Sequence, residues 1–180
     1  MKRFRLVVLS LTAALGAFGL ASRHVANAGS ASQNLTVSAT VVASCTIATN
    51  AVTFTGYDPV NVNLTTPFDS STGSLVVACT NGTTATIGLG QGSNPLGTST
   101  ASVPLRQMAS GTNRLGYFLF QDAARTITWG DINLAVPTAA VTYNATTAAP
   151  QTFTVYGRIN AAQDVAVGSY TDTVVATVQF

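Results

Sequence analysis

Residues 35–47 read LTVSATVVASCTI. Leu35, Val37, Ala39, Val41, Ala43, Cys45 and Ile47 take every odd position, while Thr36, Ser38, Thr40, Ser44 and Thr46 fill most of the even ones. Side chains of an extended chain point alternately to opposite faces, so this alternation predicts a strand with one buried face. The same period of two returns at Leu75/Val77/Cys79, Ile87/Leu89, Leu115/Tyr117/Leu119, Phe153/Val155/Ile159 and Val174/Ala176/Val178/Phe180. Turn-forming clusters separate these runs: Asn81-Gly82, Gly90 to Pro95, Gly111-Thr112-Asn113 and Gly168-Ser169. No helical period is found after residue 28. Short strands between polar turns predict an all-β sandwich of immunoglobulin-like dimensions.

Upstream of this stretch the sequence has a different character. Lys2, Arg3 and Arg5 precede an apolar run from Leu6 to Ala21, and Ala26-Asn27-Ala28 places small residues one and three positions before Gly29. This is the three-part layout of a secretory signal. The apolar run is short of the roughly 20 residues a spanning helix needs, which sets aside the rival reading of a membrane anchor. Residues 1–28 are expected to be a signal peptide cleaved near Ala28, leaving about 152 residues, the size of one domain.

Removing that leader changes the charge. The full 180 residues carry +2, but Lys2, Arg3, Arg5, Arg23 and His24 all lie in the leader. What remains has Arg106, Arg114, Arg125 and Arg158 against six Asp, a net of −2, with no Lys, Glu or His. Nucleophilic catalysis by Ser, Thr or Cys needs a base, most often His or Lys, and none is present. The six carboxylates (Asp58, Asp69, Asp122, Asp131, Asp164, Asp172) are scattered, mostly in expected turns, and read as turn caps and surface solvation. The composition therefore predicts no enzyme, no catalytic residues, no cofactor and no small-molecule substrate. A negative mature charge with four Arg also argues against nucleic acid. Trp129 and Tyr156 could stack on a sugar, although a Trp in a β-sandwich more often packs in the core. Cys45 and Cys79 are an even pair in an exported chain and most simply form a disulfide. Two thiolates without histidine do not complete a four-ligand zinc site, so no metal is expected.

The two ends are unusual for a sandwich. The first strand begins soon after the soft stretch Gly29 to Gln33, and the last runs to Phe180 with no polar tail. Free strand edges recruit partners. Either both strands pair within one domain, or recruitment is their purpose.

Several segments taken in order resemble one family. They are Val42-Ala43-Ser44-Cys45-Thr46-Ile47, Val77-Ala78-Cys79-Thr80-Asn81-Gly82, Arg106-Gln107-Met108, Leu115 to Asp122, Thr128-Trp129-Gly130-Asp131, Val155-Tyr156-Gly157-Arg158-Ile159 and Val167 to Val174. Over about residues 35–180 the chain resembles the spore coat protein U domain, the domain of subunits in archaic chaperone–usher pili. The resemblance implies an incomplete, pilin-type sandwich over residues 43–180, missing one strand, with residues 29–42 as an N-terminal extension that serves as donor strand. A periplasmic chaperone fills the gap first. At the outer-membrane usher, the extension of a neighbouring subunit replaces it, so the expected partners are chaperone, usher and further copies in a homopolymer. On this reading Leu35, Val37, Ala39 and Val41 are the donor residues, and Val174, Ala176, Val178 and Phe180 wall the acceptor groove. Cys45 and Cys79 match the family's cysteine pair. The implied function is a structural subunit of a surface pilus, exported through the periplasm and supporting adhesion and biofilm formation. The alternatives are a spore or cell-envelope coat protein of the same family, or a secreted glycan-binding module.

Overall fold

A computed structural model describes residues 28–132 and 139–180. Apart from Ala28, the expected signal peptide lies outside the described residues. The chain divides into two units, residues 1–39 and 40–180, and among the described residues every strand belongs to the second.

Among the described residues, eight strands and one turn of 3-10 helix make up that unit. They are β1 (Cys45–Asn50), the 3-10 turn (Val62–Leu64), β2 (Phe68–Cys79), β3 (Thr84–Leu89), β4 (Arg106–Ser110), β5 (Asn113–Phe120), β6 (Val141–Asn144), β7 (Gln151–Ile159) and β8 (Ala176–Gln179). They form a five-stranded sheet in the order β1-β2-β7-β5-β4 and a three-stranded sheet in the order β6-β3-β8. All named pairings are antiparallel. The all-β, immunoglobulin-like sandwich expected from the period-two pattern is the fold observed.

Burial follows the alternation. Leu75, Val77 and Cys79 of β2, Ile87 and Leu89 of β3, Leu115, Tyr117 and Leu119 of β5, and Val155 and Ile159 of β7 form the core between the sheets. Their even-numbered neighbours Thr154, Tyr156 and Arg158 lie on the other face of β7, where Arg158 pairs with Asp69 of β2 (Nε–Oδ1 2.7 Å). Tight turns need the residues found in them. Gly111, with φ +58°, joins β4 to β5 in a conformation that costs glycine little. A disulfide joins Cys45 to Cys79, and these two residues are also the last register pair of β1 and β2.

Two elements differ from their sequence-based extents. The strand expected from Leu35 begins only at Cys45. Among the described residues β1 is an edge strand whose one ladder partner, β2, ends at Cys79, and the last backbone bond upstream there is Thr80 N–H to Ser44 O at 2.9 Å. Residues before Ser44 retain the alternation but have no ladder partner among the described residues. The last strand begins at Ala176 rather than Val174. Thr171 bridges to Ala109 of β4 in the five-stranded sheet, whereas β8 pairs with β3 in the three-stranded one. Residues 172–175 cross between the two sheets and pair continuously with neither.

Candidate functional site: an open groove between two unpaired edges

A cavity of about 1170 Å³ in the sandwich is a groove between residues 49–60 on one side and 165–176 on the other. Its floor is the core itself, including Leu75, Leu115, Tyr117, Val155 and Ile159. Both walls have a free backbone edge.

The first wall continues the line of β1 past Asn50 without forming a strand. It is tied to β2 by hydroxyl groups. Thr53 N–H donates to Thr72 Oγ1 (2.8 Å), Ser70 Oγ donates to Thr53 O (2.7 Å), and Thr72 Oγ1 donates to Ala51 O (3.4 Å). These side chains stand in for a ladder where β2 itself is irregular, between Ser70 and Gly73. Successive residues of an extended chain turn their peptide groups to opposite sides. With Ala51 and Thr53 facing β2, Val52 and Phe54 turn theirs to the groove. Neither has a backbone hydrogen bond among the described residues.

The second wall has the same parity. Thr171 exchanges two bonds with Ala109, Thr173 O accepts from Ser93 Oγ, and Val175 O accepts from Gly90 N–H. Odd positions thus face the sheets, and Val174 and Ala176 turn their peptide groups toward the groove. Among the described residues the result is an open lane with unpaired donors and acceptors on both sides and an apolar floor, the surroundings an added strand requires. At its far end β1 and β8 approach one another and narrow the lane.

Glycines let the first wall lie close. A Cβ on Gly157 would stand 2.5 Å from Phe54 Cζ, and one on Gly73 would collide with Val52 Cγ2. Val52 and Phe54 therefore seat in hollows that only glycine leaves. Phe54 also packs edge-on against Phe68 and Tyr117, with centroids 6.0 and 6.4 Å apart.

The second wall is pinned to the floor by Asp172. Its Oδ2 accepts from Tyr117 O–H at 2.7 Å, and its Oδ1 accepts from Ser93 N–H at 2.8 Å and Asn94 Nδ2 at 3.4 Å. Gly92, at φ +83°, has no room for a Cβ beside the carboxylate. Burial, then the bond to Asp172, pushes the Tyr117 hydroxyl far above its ordinary range and keeps it neutral. Beneath it, Arg106 is fully buried and donates to three carbonyls: Leu89 O (2.8 Å), Gly90 O (2.8 Å) and Trp129 O (2.7 Å). Burial pulls its guanidinium down to about 10, still charged at neutral pH.

The expected site residues fall as follows. Val174 and Ala176 line the groove. Val178 packs against the core beyond the groove's end, and Phe180, 56% exposed, lies one residue past β8; neither lines the groove. Leu35 (88% exposed), Val37, Ala39 and Val41 are all exposed and outside any strand. Sequence reading did not find Val52, Phe54, Tyr117 or Asp172 as groove residues. The alternation Val52/Phe54 was a legible signal, but the hydroxyl ladder and the Asp172 clamp depend on contacts distant in sequence. For the glycan reading, Trp129 is 1% exposed with Nε1 donating to Ile87 O, and Arg125 lies over the Tyr156 ring at 5.8 Å. Trp129 therefore offers no face to a sugar, and one face of Tyr156 is already covered.

The spore coat protein U domain family matches over residues 31–177. The chain belongs to this family. A relative described as Protein U, from Myxococcus xanthus, is 40% identical over 188 residues, covering all of both chains. Among solved structures, a chain of the chaperone–tip adhesion subunit pre-assembly complex CsuC–CsuE, from the archaic chaperone–usher Csu pili of Acinetobacter baumannii, has the same fold. Its TM-score is 0.53 at 23% identity, over 78% of this chain and 40% of that one. This spore coat protein U domain thus shares its fold with a chain of that chaperone–subunit complex.

Proposed function

We propose that this chain is a structural subunit of a surface pilus, exported through the periplasm and assembled by the chaperone–usher route through donor-strand exchange. The observation that carries the reading is the lane itself: two unpaired backbone edges, at Val52/Phe54 and Val174/Ala176, over an apolar floor. A strand laid there pairs on both sides and sends alternate side chains into the core. The extension at residues 29–42 supplies such a strand from a second copy, with Leu35, Val37, Ala39 and Val41 on one face. Their exposure is the counterpart of the open groove. Burying these four side chains contributes about 4–8 kcal/mol, at roughly 1–2 each. A periplasmic chaperone strand fills the same lane before assembly, and the usher is where the exchange occurs. Adhesion and biofilm formation follow from the polymer.

The test is direct. Residues 43–180 alone are expected to be unstable, and a peptide of residues 30–43 to raise their melting temperature. A stable monomer that ignores the peptide refutes donor-strand exchange. Full-length Val37→Asp is expected to be exported but not to polymerise.

The second reading, a spore or cell-envelope coat subunit, is favoured by the family's description and by the full-length match to Protein U. It uses the same groove and differs in destination. Genes for a chaperone and an usher beside this one separate the two.

A further inference from the structure

At the open end of the groove a loop presents aliphatic side chains to solvent. Val60 (82% exposed), Val62 and Leu64 stand out at every second residue, and Val167, fully exposed, stands across the groove mouth from Val60. The loop is rigidly built. Asp58 Oδ1 accepts from Val60 N–H and Asn61 N–H (both 3.1 Å), and Asn63 N–H donates to Asp58 O (2.8 Å). Asn63, 2% exposed, accepts from Asp58 N–H (2.9 Å) through Oδ1 and donates to Thr66 O (2.9 Å) through Nδ2, while its carbonyl accepts from Ala162 N–H. A loop fixed at both ends and in the middle, with Asp58 and Asn63 turned inward and its aliphatics outward, has the form of a preorganised contact surface.

We infer that this loop docks on the opposite pole of a second copy of this chain, the copy whose extension fills the groove. The inference rests on the donor-strand reading above, and chain length and topology carry it further. The two poles of the sandwich are chemically distinct. One holds the disulfide, the turn after β2 bonded to Ser44 and Ala145, and the end of β8; the other holds the 58–66 loop and the groove mouth. Only residues 42–44 lie between donor position Val41 and the start of β1 at Cys45. Four Cα steps span at most about 14 Å. The body of the donating copy must therefore stand at whichever end of the groove Val41 leaves.

If Val41 leaves at the mouth, the disulfide pole of one copy meets the aliphatic loop of the next. That contact is heterologous and repeats without closing, as a fibre requires. The disulfide pole offers a matching surface, since Val42 is exposed and Ala148-Ala149-Pro150 is exposed and uncharged. If Val41 left at the narrowed end, two disulfide poles would meet, each copy would give and receive at one pole, and the loop would face solvent.

The experiment uses the full-length chain assembled with its export machinery and carries a benzophenone amino acid at Val62. Irradiated polymers are expected to cross-link between copies, to residues 42–44 or 145–150. Cross-links to lipid, to another protein, or to nothing in assembled polymer overturn the inference. A second arm uses Val62→Ser/Leu64→Ser, which leaves the groove lining intact. The variant is expected to bind the peptide of residues 30–43 within about twofold of the parent, while full-length assembly slows roughly tenfold. Unchanged assembly overturns the docking inference alone. A parent chain that neither binds the peptide nor polymerises refutes the groove reading, and the docking inference with it.

Discussion

The Asp172 clamp allows a quantitative test of how the groove is held open. Asp172→Ala removes the acceptor of the Tyr117 hydroxyl, and that residue is 5% exposed in an otherwise apolar floor. An orphaned buried hydroxyl costs about 1–3 kcal/mol, and bonds to a charged acceptor are worth about 1.5–3 each. Ser93 N–H and Asn94 Nδ2 also lose their acceptor, but Ser93 lies at the exposed rim, where water replaces it. A total of about 2–4 kcal/mol follows. Tyr117→Phe is milder, about 1 kcal/mol, because it removes the donor without orphaning it and leaves Asp172 with its loop partners. The double variant then cannot lose the Tyr117–Asp172 bond twice, so the two costs are expected to be non-additive by about 1–2 kcal/mol. For a domain of about 150 residues, 2–4 kcal/mol lowers the melting temperature by roughly 4–16 °C. Thermal and urea unfolding of the four proteins, each with donor peptide present, gives the cycle. Strict additivity would falsify the clamp as a coupled device. A melting temperature unchanged in Asp172→Ala would show that the wall is held by backbone bridges alone.

Other outcomes follow from the same contacts. Gly157→Ala puts a methyl group against the Phe54 ring and is expected to cost about 1–3 kcal/mol of overpacking and to weaken donor-peptide binding, read by calorimetry. Arg106→Lys is not conservative, because one ammonium cannot reach three carbonyls in a planar fork; unfolding is expected to show a loss of about 3 kcal/mol or more. Gln163→Ala strips Gly116 of both side-chain bonds, Gly116 N–H to Oε1 at 2.8 Å and Nε2 to Gly116 O at 2.9 Å, and is expected to raise amide exchange at Gly116 well before global unfolding. In acid, Asp69 is held below the ordinary carboxylate range, first by its hydrogen bond from Arg158, and exposed Asp122 likewise by the N–H of Ile127. A depressed folded pKa contributes stability that is complete above the unfolded value near 4 and is lost as pH falls through the folded value. Asp69→Asn is therefore expected to flatten the acid limb of a stability–pH curve and to leave the neutral plateau's slope unchanged.

How far the sequence carried the structure depended on whether a contact was local. Period two at Leu75/Val77/Cys79 or Leu115/Tyr117/Leu119 is a property of consecutive residues, and each such run became a strand with the expected face buried. The two runs that fell short of their expected lengths are the ones whose pairing changes part-way. Residues 35–44 alternate as cleanly as residues 45–47, yet only the latter have β2 beside them, because alternation specifies a face and not a partner. Val174 alternates with Ala176, but the hydrogen bonds of Thr171 go to β4 and that of Val175 to Gly90, one residue past β3. The groove follows from both shortfalls. It opens where the chain after β1 leans on β2 through Thr72 and Ser70 and where the chain before β8 changes sheets. Neither event has a sequence signature beyond Thr, Ser and Gly, residues that also fill ordinary turns. The Asp172 clamp was less legible still. Its partners Tyr117 and Ser93 are 55 and 79 positions away, and in the sequence Asp172 resembles any other turn aspartate. What the sequence did carry was an alternating segment with no ladder partner in its own sheet among the described residues. On the donor-strand proposal that segment and the unfilled lane are two halves of one pairing, and that proposal is why the protein is read as a subunit and not as a solitary domain.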